Sequence, residues 1–156
     1  NLCVRATGNT LCLYQLVEKH GEILYNLIKD KVKDGRKVFF IHGGVSAAER
    51  EEVRAITEKE TDAIIIASYG TFSTGINIRN LHNVVFASPS KSRIRNLQSI
   101  GRGLRLGDSK THAKLYDISD DLTHNDRENY TLKHFQERIK IYNEEQFEYE
   151  MHSVDL

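Results

Sequence analysis

Five short apolar runs, TLCLYQL (Thr10 to Leu16), KVFFIH (Lys37 to His42), AIIIAS (Ala63 to Ser68), NVVFAS (Asn83 to Ser88) and AKLYDI (Ala113 to Ile118), are separated by stretches of helical period. A run that is apolar on every residue is a strand covered on both faces, and amphipathic crossover helices supply that cover. Ile23, Leu24, Leu27 and Ile28 predict a scaffold helix with one apolar side, ending near Asp34–Gly35, where glycine takes the left-handed cap. Ser46 and Glu49 stand in capping-box spacing and open a helix that continues through Val53 and Ile56 to about Lys59. Further helices are predicted over roughly Lys91 to Arg105 and Asn129 to Gln146, the second burying Phe135, Ile139 and Tyr142 as core. The closing FEYEMHSVDL alternates as a late strand would, or frays as a tail. The expected fold class is α/β, a parallel sheet flanked by helices in three α/β/α layers. At 156 residues one domain suffices, spanning 10–156, and residues 1–9 have no clear period and are expected to be a flexible N-terminal segment of what reads as a fragment.

Lys plus Arg and Asp plus Glu each number 22, so no global field holds the chain on nucleic acid or membrane. Any polyanion must meet a local patch. Lys91, Arg93, Arg95, Arg102, Arg105, Lys110 and Lys114 provide one against the single acid Asp108, while Asp117, Asp120, Asp121, Asp126, Glu128 and the later glutamates gather on an acidic side. Cys3 and Cys12 lack CxxC spacing and read as small hydrophobes in a reducing compartment. The histidines fall in no metal-ligand spacing, so no metal site is expected, and His20, His82 and His134 read as surface or packing residues. No run approaches membrane-span length and no signal segment opens the chain, which leads to the expectation of a cytoplasmic, soluble monomer with no membrane partner.

The segment QSIGRGLR (Gln98 to Arg105) carries the most chemistry. Arg102 and Arg105 are three apart and share one helix face, so two planar, permanently charged forks can converge on a triphosphate. Gly101 permits close approach, and the neutral amide of Gln98 hydrogen-bonds beside them without cancelling charge. A solvated basic helix end is the plain alternative. In an open parallel sheet, ligands sit beyond the carboxyl ends of the strands. There Gly70 and Gly75 free the backbone, and Ser68, Thr71, Ser73 and Thr74 can hold a phosphate backbone through neutral hydrogen bonds. Gly43–Gly44 precede a capped helix start that suits an anion, and Gln15 and Lys19 can reach a phosphate. Taken singly, the glycines read as turn geometry and His42 as a satisfied strand-end histidine.

No GxxxxGK[ST] loop and no acidic pair for magnesium accompany these groups, so the chain cannot build a complete NTPase site. Phosphate-sensing arginines without a phosphate-binding loop suit the partner of a domain that holds the nucleotide. The order TLCLYQL, IHGGVSAAER, ASYGTFSTGINIRNL and QSIGRGLR resembles helicase motifs IV, IVa, V and VI, from Thr10 to Ile118. The chain is similar to the second RecA-like domain of superfamily 2 helicases, and its wording is nearest to the phage recombination helicases. The resemblance implies that Arg102 and Arg105 reach across a cleft to ATP, bound with Mg2+ by a first RecA-like domain of the same parent, with Gln98 organising that cleft. It also implies that Gly75 and Asn77 face the cleft beside Gly101, and that Thr71 or Thr74 and the backbone near Gly43 follow single-stranded or branched DNA. Asn77 stands where many relatives have aspartate, and Ser99 where the RNA-helicase branch has arginine. The expected function is the second motor domain of an ATP-dependent DNA helicase in recombination or repair, inactive in isolation and placed in the host cytoplasm if phage-encoded. A non-catalytic nucleic-acid-binding module with this fold is the rival, and a small-molecule enzyme of doubly wound fold, for which no catalytic dyad is visible, is a more distant one.

Overall fold

The computed structural model describes residues 1–33, 35–73, 78–88, 113–123 and 127–154. Among them, α1 (Leu2–Arg5) leads into β1 (Thr10–Tyr14), a π-helical turn (Val17–Gly21) and α2 (Glu22–Lys29). There follow β2 (Val38–Ile41), α3 (Ala47–Lys59), β3 (Ile64–Ser68), the short α4 (Tyr69–Ser73), β4 (Asn83–Phe86), β5 (Lys114–Asp117) and α5 (Tyr130–Glu144). All five expected runs are strands. They form one parallel sheet in the order β2-β3-β1-β4-β5, with β1 between β3 (Thr10 opposite Ile64) and β4 (Thr10 opposite Asn83). The predicted helix from Lys91 to Arg105 lies outside the described residues.

Alternate residues of each strand enter opposite cores, as the pleat requires. Leu11, Leu13, Ile65, Val84 and Phe86 pack with Val53 of α3, Tyr69 of α4 and Ile139 and Tyr142 of α5. Cys12, Tyr14, Ile64, Ile66 and Val85 pack with Cys3 of α1 and Leu24, Tyr25 and Ile28 of α2. Both cysteines are free, buried thiols, as expected of small hydrophobes. Each fully buried aliphatic side chain stabilises by about 1.5–3 kcal/mol, so the two-sided core is what orders the sheet.

The expected apolar side of α2 is corrected. Leu24 and Ile28 turn inward with Tyr25, while Ile23 and Leu27 are 54% and 50% exposed. A π turn takes up one residue more than an α turn, and Val17–Gly21 thereby shifts the buried stripe by one position. The helix also stops at Lys29, where the Lys31 and Val32 N–H groups both turn back to the Ile28 carbonyl. Gly35 is left-handed, at φ 92°, but in the turn beyond. No strand forms over 147–154, although Phe147 packs on the core and the Tyr149 hydroxyl donates to Asn143 Oδ1.

Residues 1–9, read above as a flexible lead-in, are tied down along their length. The Arg36 guanidinium donates to the carbonyls of Val4 (2.8 Å), Ala6 (3.0 Å) and Asp62 (2.9 Å) and pairs with the Asp62 carboxylate. Asn9 is fully buried at the amino edge of the sheet. Its Nδ2 donates to the carbonyls of Thr57, Glu60 and Asn80, and its Oδ1 accepts from the Ala63 N–H at 2.8 Å. One side chain thus joins the end of α3, the start of β3 and the segment entering β4.

Candidate functional site

The carboxyl edge of the sheet is set by register. Ile41 lies opposite Ala67 and Tyr14 opposite Ser68, so Gln15, His42 and Ser68 leave β1, β2 and β3 side by side. Gln15 is exposed. Tyr14 braces the row from beneath: its hydroxyl donates to the Ile41 carbonyl at 3.2 Å, and its ring stacks on Phe40 at 5.8 Å. Gly21, ending the π turn, lies against that ring so closely that a Cβ would fall 2.5 Å from it. Burial, with the charge of Glu22 adding to it, pushes the Tyr14 phenol up to about 12, which keeps it a neutral donor.

Beyond Ile41 the chain makes a tight turn in which the Val45 N–H donates to the His42 carbonyl at 3.0 Å. The Gly44 N–H donates to His42 Nδ1 at 3.1 Å, and a Cβ on Gly44 would come 2.9 Å from His42 Cε1. A side chain at 44 would therefore displace the His42 ring. Gly43 differs: it is exposed, a Cβ there would meet nothing within 4 Å, and the left-handed glycines among the described residues are Gly8 and Gly35. Neither its backbone nor its described neighbours demand glycine.

Two expectations at this edge are corrected. The helix start expected to face an anion carries its own carboxylate: Ser46 Oγ accepts from the Glu49 N–H, and Glu49 Oε2 accepts from the Ser46 N–H at 3.0 Å. These hydrogen bonds hold the Glu49 carboxyl below its usual range. The stretch after β3, expected as an open loop, begins as helix α4. Ser68 and Thr71 are buried and share a hydroxyl hydrogen bond of 2.7 Å, while the Thr71 N–H donates to Ser68 Oγ. Their polar atoms close the strand-to-helix turn, and Gly70 is the exposed residue there. Thr74, Gly75, Asn77, Gln98, Gly101, Arg102 and Arg105 lie outside the described residues.

A buried polar cluster at the end of β5 was not anticipated. Asp117, read above as part of an acidic side, is bidentate with Arg138 (Nε to Oδ2 2.6 Å, Nη2 to Oδ1 2.9 Å) and accepts from the Tyr142 hydroxyl at 2.6 Å. Burial, then the Asp117 charge, drives the Tyr142 phenol upward. The available signal was Arg138 and Tyr142 spaced i, i+4 on one helix face. His82 accepts from the Asn9 N–H through Nδ1 and His134 packs on Tyr130, as expected of packing histidines. Among the described residues no group of three or more metal-ligating side chains occurs, and no helix is long and apolar enough to cross a membrane.

Residues 2–107 match the family model described as the helicase conserved C-terminal domain. The chain is 40% identical over 147 residues to the ATP-dependent DNA helicase uvsW of Enterobacteria phage T4, covering 88% of this chain and 29% of that protein. It is 29% identical over 107 residues to the putative ATP-dependent helicase IRC3 of Saccharomyces cerevisiae, covering 68% of this chain and 15% of that protein. It thus spans less than a third of the length of either relative. In fold it is similar to the Mss116p DEAD-box helicase domain 2 bound to an RNA duplex, with a TM-score of 0.58 at 19% identity over 73% of this chain and 43% of that one. It is likewise similar to the C-terminal part of the Fun30 ATPase domain, with a TM-score of 0.56 at 18% identity over 91% and 49% of the two chains.

Proposed function

Because this chain belongs to the helicase conserved C-terminal domain family, we propose that it is the second motor domain of an ATP-dependent DNA helicase or translocase. The observation that carries the reading is the family match over residues 2–107, which runs through the strands that position Gln15, His42 to Gly44 and Ser68, beside 40% identity to uvsW over 88% of the chain. On this reading residues 10–156, with the packed lead-in, form one RecA-like domain. A first RecA-like domain of the parent holds ATP and its Mg2+, and the parent acts on single-stranded or branched DNA in recombination or repair, in the host cytoplasm if phage-encoded. The bound nucleotide supplies the phosphoryl group that is transferred to water.

The chain's own residues divide into two roles. Arg102 and Arg105 present guanidinium forks to phosphoryl oxygens, with Gln98, Gly101, Gly75 and Asn77 lining the same cleft. Gln15, Gly43, Gly44, Ser68, Thr71 and Thr74 belong to the strand-binding edge, where Ser68 and Thr71 act through backbone and turn geometry as much as through hydroxyls. Coupling requires only that both sites prefer the same closed arrangement of two domains.

The test is made on the complete parent, by DNA-stimulated ATP turnover beside equilibrium binding of ATP and DNA. Arg105→Ala lowers turnover by ~10³-fold or more with binding largely kept, since such a group acts mainly in the transition state. Arg105→Lys rescues poorly because a point charge cannot reproduce the fork. The 156-residue chain alone hydrolyses no ATP. Near-normal turnover in Arg105→Ala would instead favour a non-catalytic nucleic-acid-binding module.

A further inference from the structure

The helix α1 has four residues, far below the ~12–15 at which a helix begins to hold itself in water. Its place is set from outside. Cys3 is buried among Cys12, Tyr14 and Ile28, on the α2 side of the sheet. Arg36, just ahead of β2, spends its fork on the same segment: Nη1 donates to the Val4 carbonyl at 2.8 Å and Nη2 to the Ala6 carbonyl at 3.0 Å. Its other contacts reach the start of β3, where Nε donates to the Asp62 carbonyl and Nη2 pairs with the Asp62 carboxylate at 2.9 Å. The Arg36 side chain is 10% exposed, so these bonds are sheltered from water. Beyond Ala6 the fastening passes to other residues, because Asn83 Nδ2 donates to the Thr7 carbonyl and Asn9 is buried. Residues 1–6 are therefore held by Arg36 and Cys3, and 7–9 by the sheet itself. All of this lies at the amino edge. The cleft groups assigned above belong to the carboxyl edge, a strand length of roughly 17 Å away.

We propose that Arg36 is a positioning residue of the motor: by clamping the Val4 and Ala6 carbonyls it fixes where the connection from the first domain ends and this rigid domain begins, and so sets how readily the two domains close. The proposal rests on the two-domain reading above, in which the first domain precedes this chain in the parent. With the clamp open, residues 1–6 join the connection and lengthen its reach by up to roughly 20 Å. The local concentration of one domain at the other falls as about the −3/2 power of tether length, so slack at the amino edge is felt at a cleft that Arg36 never touches.

The experiment uses the complete parent. Arg36→Met keeps an aliphatic stem beside the lead-in and removes every donor. Trypsin then cuts after Arg5, an exposed residue of α1, roughly 10-fold faster or more, because cleavage follows the opened population. DNA-stimulated ATP turnover falls roughly 3-fold, the loss for a connection doubled in effective length, while equilibrium binding of ATP without DNA is unchanged. Arg36→Lys keeps the charge beside Asp62 without the fork, and it rescues neither readout. A flexible insertion of about six Gly/Ser residues before Asn1 in the wild-type parent gives a similar loss of turnover. Combined with Arg36→Met it costs less than the product of the separate losses, because slack adds as length. Unchanged cleavage after Arg5, wild-type turnover in Arg36→Met with α1 opened, or a combined loss equal to the product overturns the proposal and leaves the two-domain reading standing. Wild-type turnover in the insertion variant does the same, and that variant decides alone if Arg36→Met fails to fold. Near-normal turnover in Arg105→Ala removes the motor reading itself, and the proposal falls with it.

Discussion

Arg138 is 1% exposed, and its Nη1 has no hydrogen-bond partner among the described residues, while Nε and Nη2 grip Asp117. A buried ion pair of this kind gains little over apolar groups of the same volume, but half of one is costly, because the remaining charge stays desolvated. Arg138→Met is therefore expected to destabilise the fold by about 3–5 kcal/mol. Combining it with Asp117→Leu restores part of that loss, the remainder being the Tyr142 hydroxyl left without its acceptor. Urea unfolding of the two single variants and the double measures the coupling. A single variant within about 1 kcal/mol of wild type would mean that the pair is solvated and interchangeable. The misreading of Asp117 has a physical cause: nothing local marks a strand-end carboxylate as buried until a helix 21 residues later lays a guanidinium over it.

At the scale of elements, α3 is the most explicit in its sequence. Ser46→Ala removes the side-chain half of the capping box and is expected to cost about 1 kcal/mol at neutral pH. The Glu49 half titrates. Its folded-state pKa is depressed, so its contribution is present above the ordinary carboxylate range and is lost as pH falls through the folded value. The gap between wild type and Ser46→Ala should therefore narrow on acidification, as chemical denaturation at neutral and acid pH would show; equal stability at neutral pH would contradict the cap. What was legible followed the range of the interaction responsible. The five strands and the Ser46–Glu49 box depend on neighbours a few residues away, and they stand where the pattern puts them. The buried side of α2 was misplaced because an inserted π turn rotates it, and no residue in VEKHG announces such a turn. Ser68 and Thr71 read as free hydroxyls because their mutual hydrogen bond exists only once α4 forms. His42 was legible as a strand-end histidine, its Nδ1 accepting the Gly44 N–H.

For the whole molecule, the two edges of the sheet divide the labour. The carboxyl edge carries the exposed turn at His42 to Gly44, and the amino edge carries the Asn9 latch. Asn9→Ala strands the buried Ala63 N–H and takes one donor from each of three carbonyls, of which those of Thr57 and Glu60 keep the Asn80 amide, so about 1–3 kcal/mol of stability is expected to go, read as a lower midpoint in thermal or chemical unfolding. An unchanged midpoint would show that water replaces the side chain freely. The strand order carries a different consequence. β1 is central, yet its neighbours begin at Ile64 and Asn83, so neither exists while Thr10–Tyr14 is being made. At ~5–20 residues per second, a ribosome leaves that apolar pentapeptide without its second partner for several seconds. Through that interval every nascent copy displays an unpaired hydrophobic ribbon, and in a crowded polysome the competition for it is another nascent β1 rather than β4.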